Sequence, residues 1–423
     1  MQLVTTIATS SAAVLLVILI SLYLAGAFRR RIEYRFANIP APSDRNFATV
    51  VARLSDSILV HSEVTGFWVE ADDIFAARTE AILSARRTLH FETYEMDPGK
   101  RANDFADLLI DRAKAGVKVQ IVADGVGSKE ISPAYWKRLR RSGVDVRFFH
   151  RFRPRSPADN LARTHRKILA IDGETALIGG AGIADMWDGK GFGGYPWLDF
   201  EVRLRGSVVG FIEGTFAQHW SYAGGTIDAS EFALSVEDGT GTLTVATSGD
   251  PLYRYSPIDA LFQLCIASAR HRLWIASPYF IPNDDLRRDL IEVARRGVQV
   301  RLLTMGPKND RAYAYYVARE CYRTLLEAGV EIYEYHPSMM HAKAILVDND
   351  WVSFGSANFD PRSLFLNDEL NFSLGDRQLI THIETFFKGA FENSTFIDRA
   401  SWKKRPLWQQ AIGRLGLLAQ RQL

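Results

Sequence analysis

Two stretches of the chain repeat one another at long range: His165-Arg-Lys167 with Asp172 and Gly179-Gly180, and His341-Ala-Lys343 with Asp348 and Gly355-Ser356. In both, the Lys follows the His by two residues, the Asp by seven and the first Gly by fourteen. One such string is compatible with chance. Two at the same spacing, each on an apolar run, imply a duplicated unit whose halves bring their histidines to one site.

The flanking sequence repeats as well. Apolar periodicity predicts helices over 74–85 and 105–115 and strands over 89–94, 117–123 and 144–149. The second half follows with helices over 258–269, 285–295 and 313–327 and strands over 273–276, 298–304 and 330–335. Gly116, Gly143, Gly297 and Gly329 each stand where a helix must stop before a strand begins. Such α/β grammar predicts two duplicated halves, each a mixed β-sheet flanked by helices and able to bury its own core, packed as a pseudo-dimer. The halves fall at 47–230 and 242–400, with the small and acidic residues of 230–241 between them.

The ends read differently. No charged residue occurs over 7–28 and 12–25 is almost wholly apolar, so 1–28 is expected to be one N-terminal transmembrane helix, a retained anchor rather than a cleaved signal peptide. Arg29, Arg30, Arg31 and Arg35 follow it, which puts the bulk of the chain on the cytoplasmic side of the plasma membrane. A basic, Pro-containing linker over 29–46 is expected to separate anchor from globule. In the tail, 401–423, basic residues alternate with Trp402, Trp408, Leu415 and Leu418; this suits a helix at a lipid interface and equally one docked on its own protein.

With 47% hydrophobic and 24% charged residues, disorder is not the default, and a net charge of +2 gives no global case for nucleic acid. Two cysteines, Cys265 and Cys321, make no disulfide framework and read as small buried hydrophobes. Eleven Lys or Arg lie between 137 and 167, a solvated face or a surface for anionic headgroups. Phe148, Phe149 and Phe152 within that run keep a nucleic-acid phosphodiesterase open as a lesser reading. The glycine-rich stretch 189–194 lacks the strand and helix of a phosphate cradle and reads as a loop.

Two imidazoles converging on one point can divide the tasks of nucleophile and proton carrier. Lys167 and Lys343 add positive charge where a phosphoryl group spreads negative charge in its transition state, and Asn358 and Ser356 add hydrogen bonds. Phosphoryl transfer through a phosphohistidine follows from these residue types, and no metal or cofactor is called for.

His-x-Lys, then Asp, then Gly-Ser or Gly-Gly, present twice, resembles the signature of the phospholipase D superfamily, over roughly 47–398. Within it the chain looks most like the bacterial cardiolipin synthases, through Ser277-Pro-Tyr-Phe-Ile-Pro282, Gly355-Ser-Ala-Asn-Phe-Asp-Pro-Arg-Ser363, Asn367-Asp-Glu369-Leu-Asn371 and Asp199-Phe-Glu-Val-Arg-Leu-Arg-Gly206. The resemblance implies a membrane-bound phosphatidyltransferase joining two phosphatidylglycerols, with phospholipid or nucleic-acid hydrolysis as the alternative. It implies His165, Lys167, Asp172, His341, Lys343 and Asp348 as the recurring catalytic set, with Asp199 and Glu369 at the positions that orient the imidazoles. Asp172 and Asp348 look structural, fixing a turn. The first copy departs from the pattern in carrying Gly180 and Gly182 where the second has Ser356 and Asn358, so the better-defined phosphoryl pocket is expected on the His341 side.

Overall fold

The computed structural model describes residues 11–17, 32–150, 162–189, 194–232, 240–249 and 255–418. Its strands are β1 (Ile58–Trp68), β2 (Thr88–Thr93), β3 (Lys118–Asp124), β4 (Asp145–Phe149), β5 (Ile168–Ile171), β6 (Thr175–Gly179), β7 (Glu201–Arg205), β8 (Thr242–Gly249), β9 (Arg272–Ala276), β10 (Gln299–Met305), β11 (Glu331–Tyr335), β12 (Ala344–Val347), β13 (Trp351–Gly355), β14 (Glu369–Leu374) and β15 (Ser394–Ile397). They hydrogen-bond in the order β15-β11-β10-β9-β12-β13-β14-β8-β1-β7-β6-β5-β2-β3-β4. Setting aside β15, the order reads the same from both ends if β4 is matched to β11, β3 to β10, β2 to β9 and so on to β1 with β8. The duplication is therefore present in three dimensions, with its pseudo-twofold between β1 and β8.

The two half-sheets are continuous, which the repeat alone does not dictate. Residues 58–62 of β1 pair antiparallel with β8, whereas 63–68 pair antiparallel with β7, with a register shift between Val64 and Gly66. One long strand thus leaves one half-sheet and enters the other. In each half three successive strands, β2–β3–β4 and β9–β10–β11, are parallel and joined by helices, while the inner strands are antiparallel and β15 adds antiparallel to the edge of β11. Helices Ala71–Ser84 and Lys100–Lys114 cover the first half; Pro257–Ser268, Asp284–Arg295 and Ala312–Glu327 cover the second. Each set closes its own apolar core, around Leu109 and Ile121 in one half and Leu290 and Leu302 in the other. A third core takes residues from both halves, including Val202 and Leu204 of β7 and Phe354 and Phe372 of β13 and β14, beneath helices Val208–Tyr222 and Arg377–Glu392. Burial of fully enclosed side chains is worth about 1.5–3 kcal/mol each, so this shared core fastens the halves in one arrangement.

The ends depart from the sequence reading. Of the span expected to cross a membrane, only 11–17 is described, as exposed helix; the rest lies outside the described residues, and among those no helix is long and apolar enough to cross a membrane. From residue 32 the expected linker lies against the second half: Phe36 and Ile39 pack on its core, and the Ile39 carbonyl accepts from Arg270 Nη2 at 2.7 Å. Helix Phe47–Leu54, though it starts the first repeat in sequence, also buries Phe47 and Val51 in that core. At the other end, helix Leu407–Leu418 docks on helix Ala312–Glu327 through Gly413 and Gly416, where a Cβ at 413 would stand 2.5 Å from the Tyr316 carbonyl. Arg405 is buried against Glu320 at 2.8 Å. Leu407, Leu415 and Leu418 remain exposed. The basic run over 137–167 is not one face: 151–161 lie outside the described residues, and Arg163, Arg166 and Lys167 are buried. Of the glycine-rich loop, 190–193 lie outside the described residues. Cys265 and Cys321 are buried free thiols, both pushed up to about 12 by burial.

A two-histidine site built by exchange between the halves

His165 precedes β5 and His341 precedes β12, so both stand at the same end of paired hairpins, β5–β6 and β12–β13. The aspartates of the repeated string sit at the other end of those short strands, in the hairpin turns, with positive φ of 56° at Asp172 and 50° at Asp348. Asp172 accepts from the backbone N–H groups of Arg86, Arg87 and Thr88 at 2.7–2.8 Å. Asp348 accepts from those of Arg270, His271 and Arg272, at 2.7 Å for His271 and 2.9 Å for Arg272. Each therefore staples its hairpin turn to the start of the adjacent antiparallel strand, β2 or β9, and the structure brings neither to the imidazoles.

The carboxylates that do reach the imidazoles come from the opposite half. His165 Nδ1 lies 3.0 Å from Glu369 Oε2, at the start of β14, and His341 Nδ1 lies 3.0 Å from Asp199 Oδ2, just before β7. The simple pairing suggested by sequence, each histidine with the acid following it, is thus exchanged. Backbone bonds enforce the exchange: the His165 N–H donates to the Asp368 carbonyl at 2.9 Å, and the His341 N–H to the Leu198 carbonyl at 2.7 Å. With a carboxylate at Nδ1, the proton resides there and the Nε2 lone pair faces outward.

All these groups are buried. Burial, opposed by Glu369 and reinforced by the two lysines, lowers His165 to about 4; burial and Lys343 lower His341 to about 4. Lys167 is lowered to about 8 and Lys343 to about 7, burial being the larger cause in both. Each lysine donates to the carbonyl of its own histidine, Lys343 Nζ to His341 at 2.5 Å and Lys167 Nζ to His165 at 2.8 Å, and Lys343 Nζ also stands 3.1 Å from both ring nitrogens of His341. The site thus holds two neutral imidazoles beside two ammonium groups that burial destabilises, an arrangement an incoming anion relieves.

Ser356 Oγ donates to Glu369 Oε2 and accepts from the Leu370 N–H at 3.0 Å. The first half has Gly180 there for a steric reason: a Cβ at 180 would fall on the Asp199 carboxylate. Aspartate with glycine in one half replaces glutamate with serine in the other. At Gly182, the counterpart of Asn358, a Cβ would come 2.7 Å from the Glu95 carbonyl, so that corner is filled by the chain itself.

The expected asymmetry is reversed by the exchange. His341 is enclosed by Trp187 and Trp197, whose rings lie 5.7 and 5.6 Å from the imidazole. The open cavity, about 350 Å³, is beside His165 and is also lined by Asn358, because the second half supplies its polar groups to the first half's histidine. Sequence reasoning also passed over Arg78, which grips Glu201 of β7 through Nε at 2.8 Å and donates to the carbonyls of Ala181 and Gly182 at 2.8 and 3.1 Å, fixing the glycine turn. It passed over His219 too: Nδ1 is 2.6 Å from Glu92, and Nε2 is 3.3 Å from Asp368, the residue that receives the His165 N–H. Glu92 raises His219 against the effect of burial. Nothing in local spacing marks Arg78 or His219, because the carboxylates that hold them are more than a hundred residues away.

Paired, carboxylate-oriented histidines at the seam of a duplicated α/β sheet define a phospholipase D-type phosphoryl-transfer enzyme. The family model described as "Cardiolipin synthase, PLD-like domain" matches residues 79–186 and 263–390, and the chain belongs to this family. It is 36% identical over 346 residues to "Cardiolipin synthase 2" of Bacillus cereus, covering 81% of this chain and 67% of that one. It is 34% identical over 366 residues to the cardiolipin synthase of Alkalihalophilus pseudofirmus, covering 85% and 72%. Among solved structures, phosphatidylserine synthase of Haemophilus influenzae shares the fold, with a TM-score of 0.69, 12% identity, and coverage of 89% of this chain and 100% of that one.

Proposed function

We propose that the chain transfers a phosphatidyl group from one phosphatidylglycerol to another, yielding cardiolipin and glycerol. The observation that carries this reading is the exchanged pairing of His165 with Glu369 and His341 with Asp199, which directs both Nε2 lone pairs away from their carboxylates. One imidazole attacks phosphorus, forming a P–N bond as the P–O bond to glycerol breaks; the other, protonated in the complex with the anionic diester, gives its proton to the departing oxygen. That second imidazole, now neutral, takes the proton from a primary hydroxyl of the acceptor lipid, whose oxygen displaces the histidine. Lys167, Lys343 and Asn358 hold the non-bridging oxygens. Asp199 and Glu369 stabilise each imidazolium as it forms.

The same reading places the enzyme at the plasma membrane, anchored by the apolar stretch 7–28 with its catalytic part on the cytoplasmic side. The exposed Leu407, Leu415 and Leu418 of the docked terminal helix are suited to sink into the lipid interface. Purified protein in mixed micelles of phosphatidylglycerol is expected to release glycerol and form cardiolipin. Phosphatidic acid as the product would make it a hydrolase instead. Activity within tenfold of wild type in His165→Ala or His341→Ala would rule out the phosphohistidine route.

A further inference from the structure

Resting on the transferase reading, the geometry points to a second anion-binding subsite: the cavity beside His165 holds the phosphate of the acceptor lipid, through Arg311 and Arg362 with Arg163 as its fixed cationic wall. Two phosphates joined through one glycerol are separated by six bonds of about 1.5 Å, so they stand roughly 7 Å apart at full extension. A transferase with two anionic substrates must therefore neutralise a second charge next to the one held by the lysines. A hydrolase, whose second substrate is water, has no such requirement.

Among the described residues three guanidinium groups line this cavity, and Asp360 is the only carboxylate that does. They come from separate elements: Arg163 from the segment before His165, Arg311 from just before helix Ala312–Glu327, and Arg362 from helix Pro361–Phe365. Arg163 is buried, held by Asp124 at 3.5 Å and by the His150 carbonyl at 3.0 Å. Arg311 lies at the exposed rim, 3.7 Å from Asp310. The aspartates that steady these two, Asp124 and Asp310, do not line the cavity. Guanidinium donors in fixed orientation suit a phosphate better than mobile lysines do.

Asn358 supplies an independent observation. Its side chain is 3% exposed, it faces the same cavity, and its Oδ1 has no hydrogen-bond partner among the described residues. An orphaned buried acceptor at the edge of the cavity nearest the repeated motif is suited to a hydroxyl donor, which the acceptor's glycerol provides. Tyr94, Tyr279 and Tyr313 complete the walls with aromatic surface for the lipid's glycerol backbone.

The test compares two reactions of the full-length enzyme in the same phosphatidylglycerol vesicles. One is cardiolipin formation, which fills both subsites. The other is exchange of labelled glycerol into phosphatidylglycerol, which requires only the donor subsite and an uncharged acceptor. In Arg311→Gln the ratio of cardiolipin formation to exchange is expected to fall about tenfold, the loss of one charge-assisted hydrogen bond, and in Arg311→Gln/Arg362→Gln about a hundredfold. Arg311 is exposed, so this variant retains the fold. If the two reactions fall in step, or neither changes, the subsite is refuted while the transferase reading stands. If the wild-type enzyme exchanges glycerol but forms no cardiolipin, both are refuted together.

Discussion

Replacing the two orienting acids by their amides is expected to have unequal effects, and the inequality follows from which oxygens are in use. Glu369 Oε2 receives both His165 Nδ1–H, at 3.0 Å, and the Ser356 hydroxyl, while its Oε1 has no partner among the described residues. In Glu369→Gln the amide NH2 can occupy the unused place, so the imidazole keeps its tautomer and only the charge is lost. A bare Coulomb term at 3.0 Å with an effective dielectric of 20 reaches about 5.5 kcal/mol, an upper bound; the net worth of a charge-assisted hydrogen bond is about 2 kcal/mol. That is about thirtyfold in kcat. Asp199 has no spare oxygen: Oδ2 receives His341 Nδ1–H and Oδ1 receives the Phe200 N–H at 2.9 Å. In Asp199→Asn a donor must face a donor, adding about 2 kcal/mol for the group left unsatisfied, so kcat should fall about a thousandfold. Cardiolipin formation in mixed micelles measures both, and 15N imidazole spectra report which ring each variant disturbs. Equal losses, or a Glu369→Gln variant that shifts the His341 nitrogens and leaves those of His165 in place, would refute the exchanged pairing.

Three further outcomes follow from the same geometry. Asp348→Ala removes the acceptor of three backbone N–H groups and should cost about 3 kcal/mol in urea unfolding while leaving the shape of the pH profile of kcat intact; a changed profile would return Asp348 to the chemistry. Gly180→Ser puts a Cβ on the Asp199 carboxylate and should lower kcat at least tenfold, whereas an active variant would show that the carboxylate has room to move. Both free-enzyme imidazoles are already neutral above about 4, so the imidazolium that expels glycerol forms only with the bound diester and kcat/KM should fall with rising pH from about 4 upward, with no acid limb near 6.5, and more steeply as Lys343 and Lys167 lose their charge through about 7 and about 8. In Lys343→Arg the first alkaline step should vanish, because arginine stays charged.

The outer parallel strands and their helices were legible because their signals are local. The helix expected over 285–295 is Asp284–Arg295, and the strand expected over 298–304 is Gln299–Met305, with Gly297 in the left-handed region between them at φ 91°. The histidines and lysines were legible because the spacing recurs. What sequence did not reveal is long-range: His165 and Glu369 are 204 residues apart and His341 and Asp199 are 142 apart, so no short window holds either pair. Gly180 read as a missing side chain until the carboxylate occupying its place was visible. Charge density misled over 137–167, since Arg163, Arg166 and Lys167 are buried: Arg163 donates to the His150 carbonyl, Arg166 to the Ser248 hydroxyl and Lys167 to the His165 carbonyl beside it. The 29–46 segment looked like a spacer by its prolines, yet Phe36 and Ile39 have a core to reach.

The exchange of carboxylates also bears on how such a chain can change over generations. A half released from its partner takes away the acid belonging to the histidine it leaves behind, so neither half retains a working relay of its own. Within one continuous chain, however, the two relays are free to diverge as units, an acid together with the residue that makes room for it. Asp199 with Gly180 and Glu369 with Ser356 are two such units, now alternative solutions to one geometric problem.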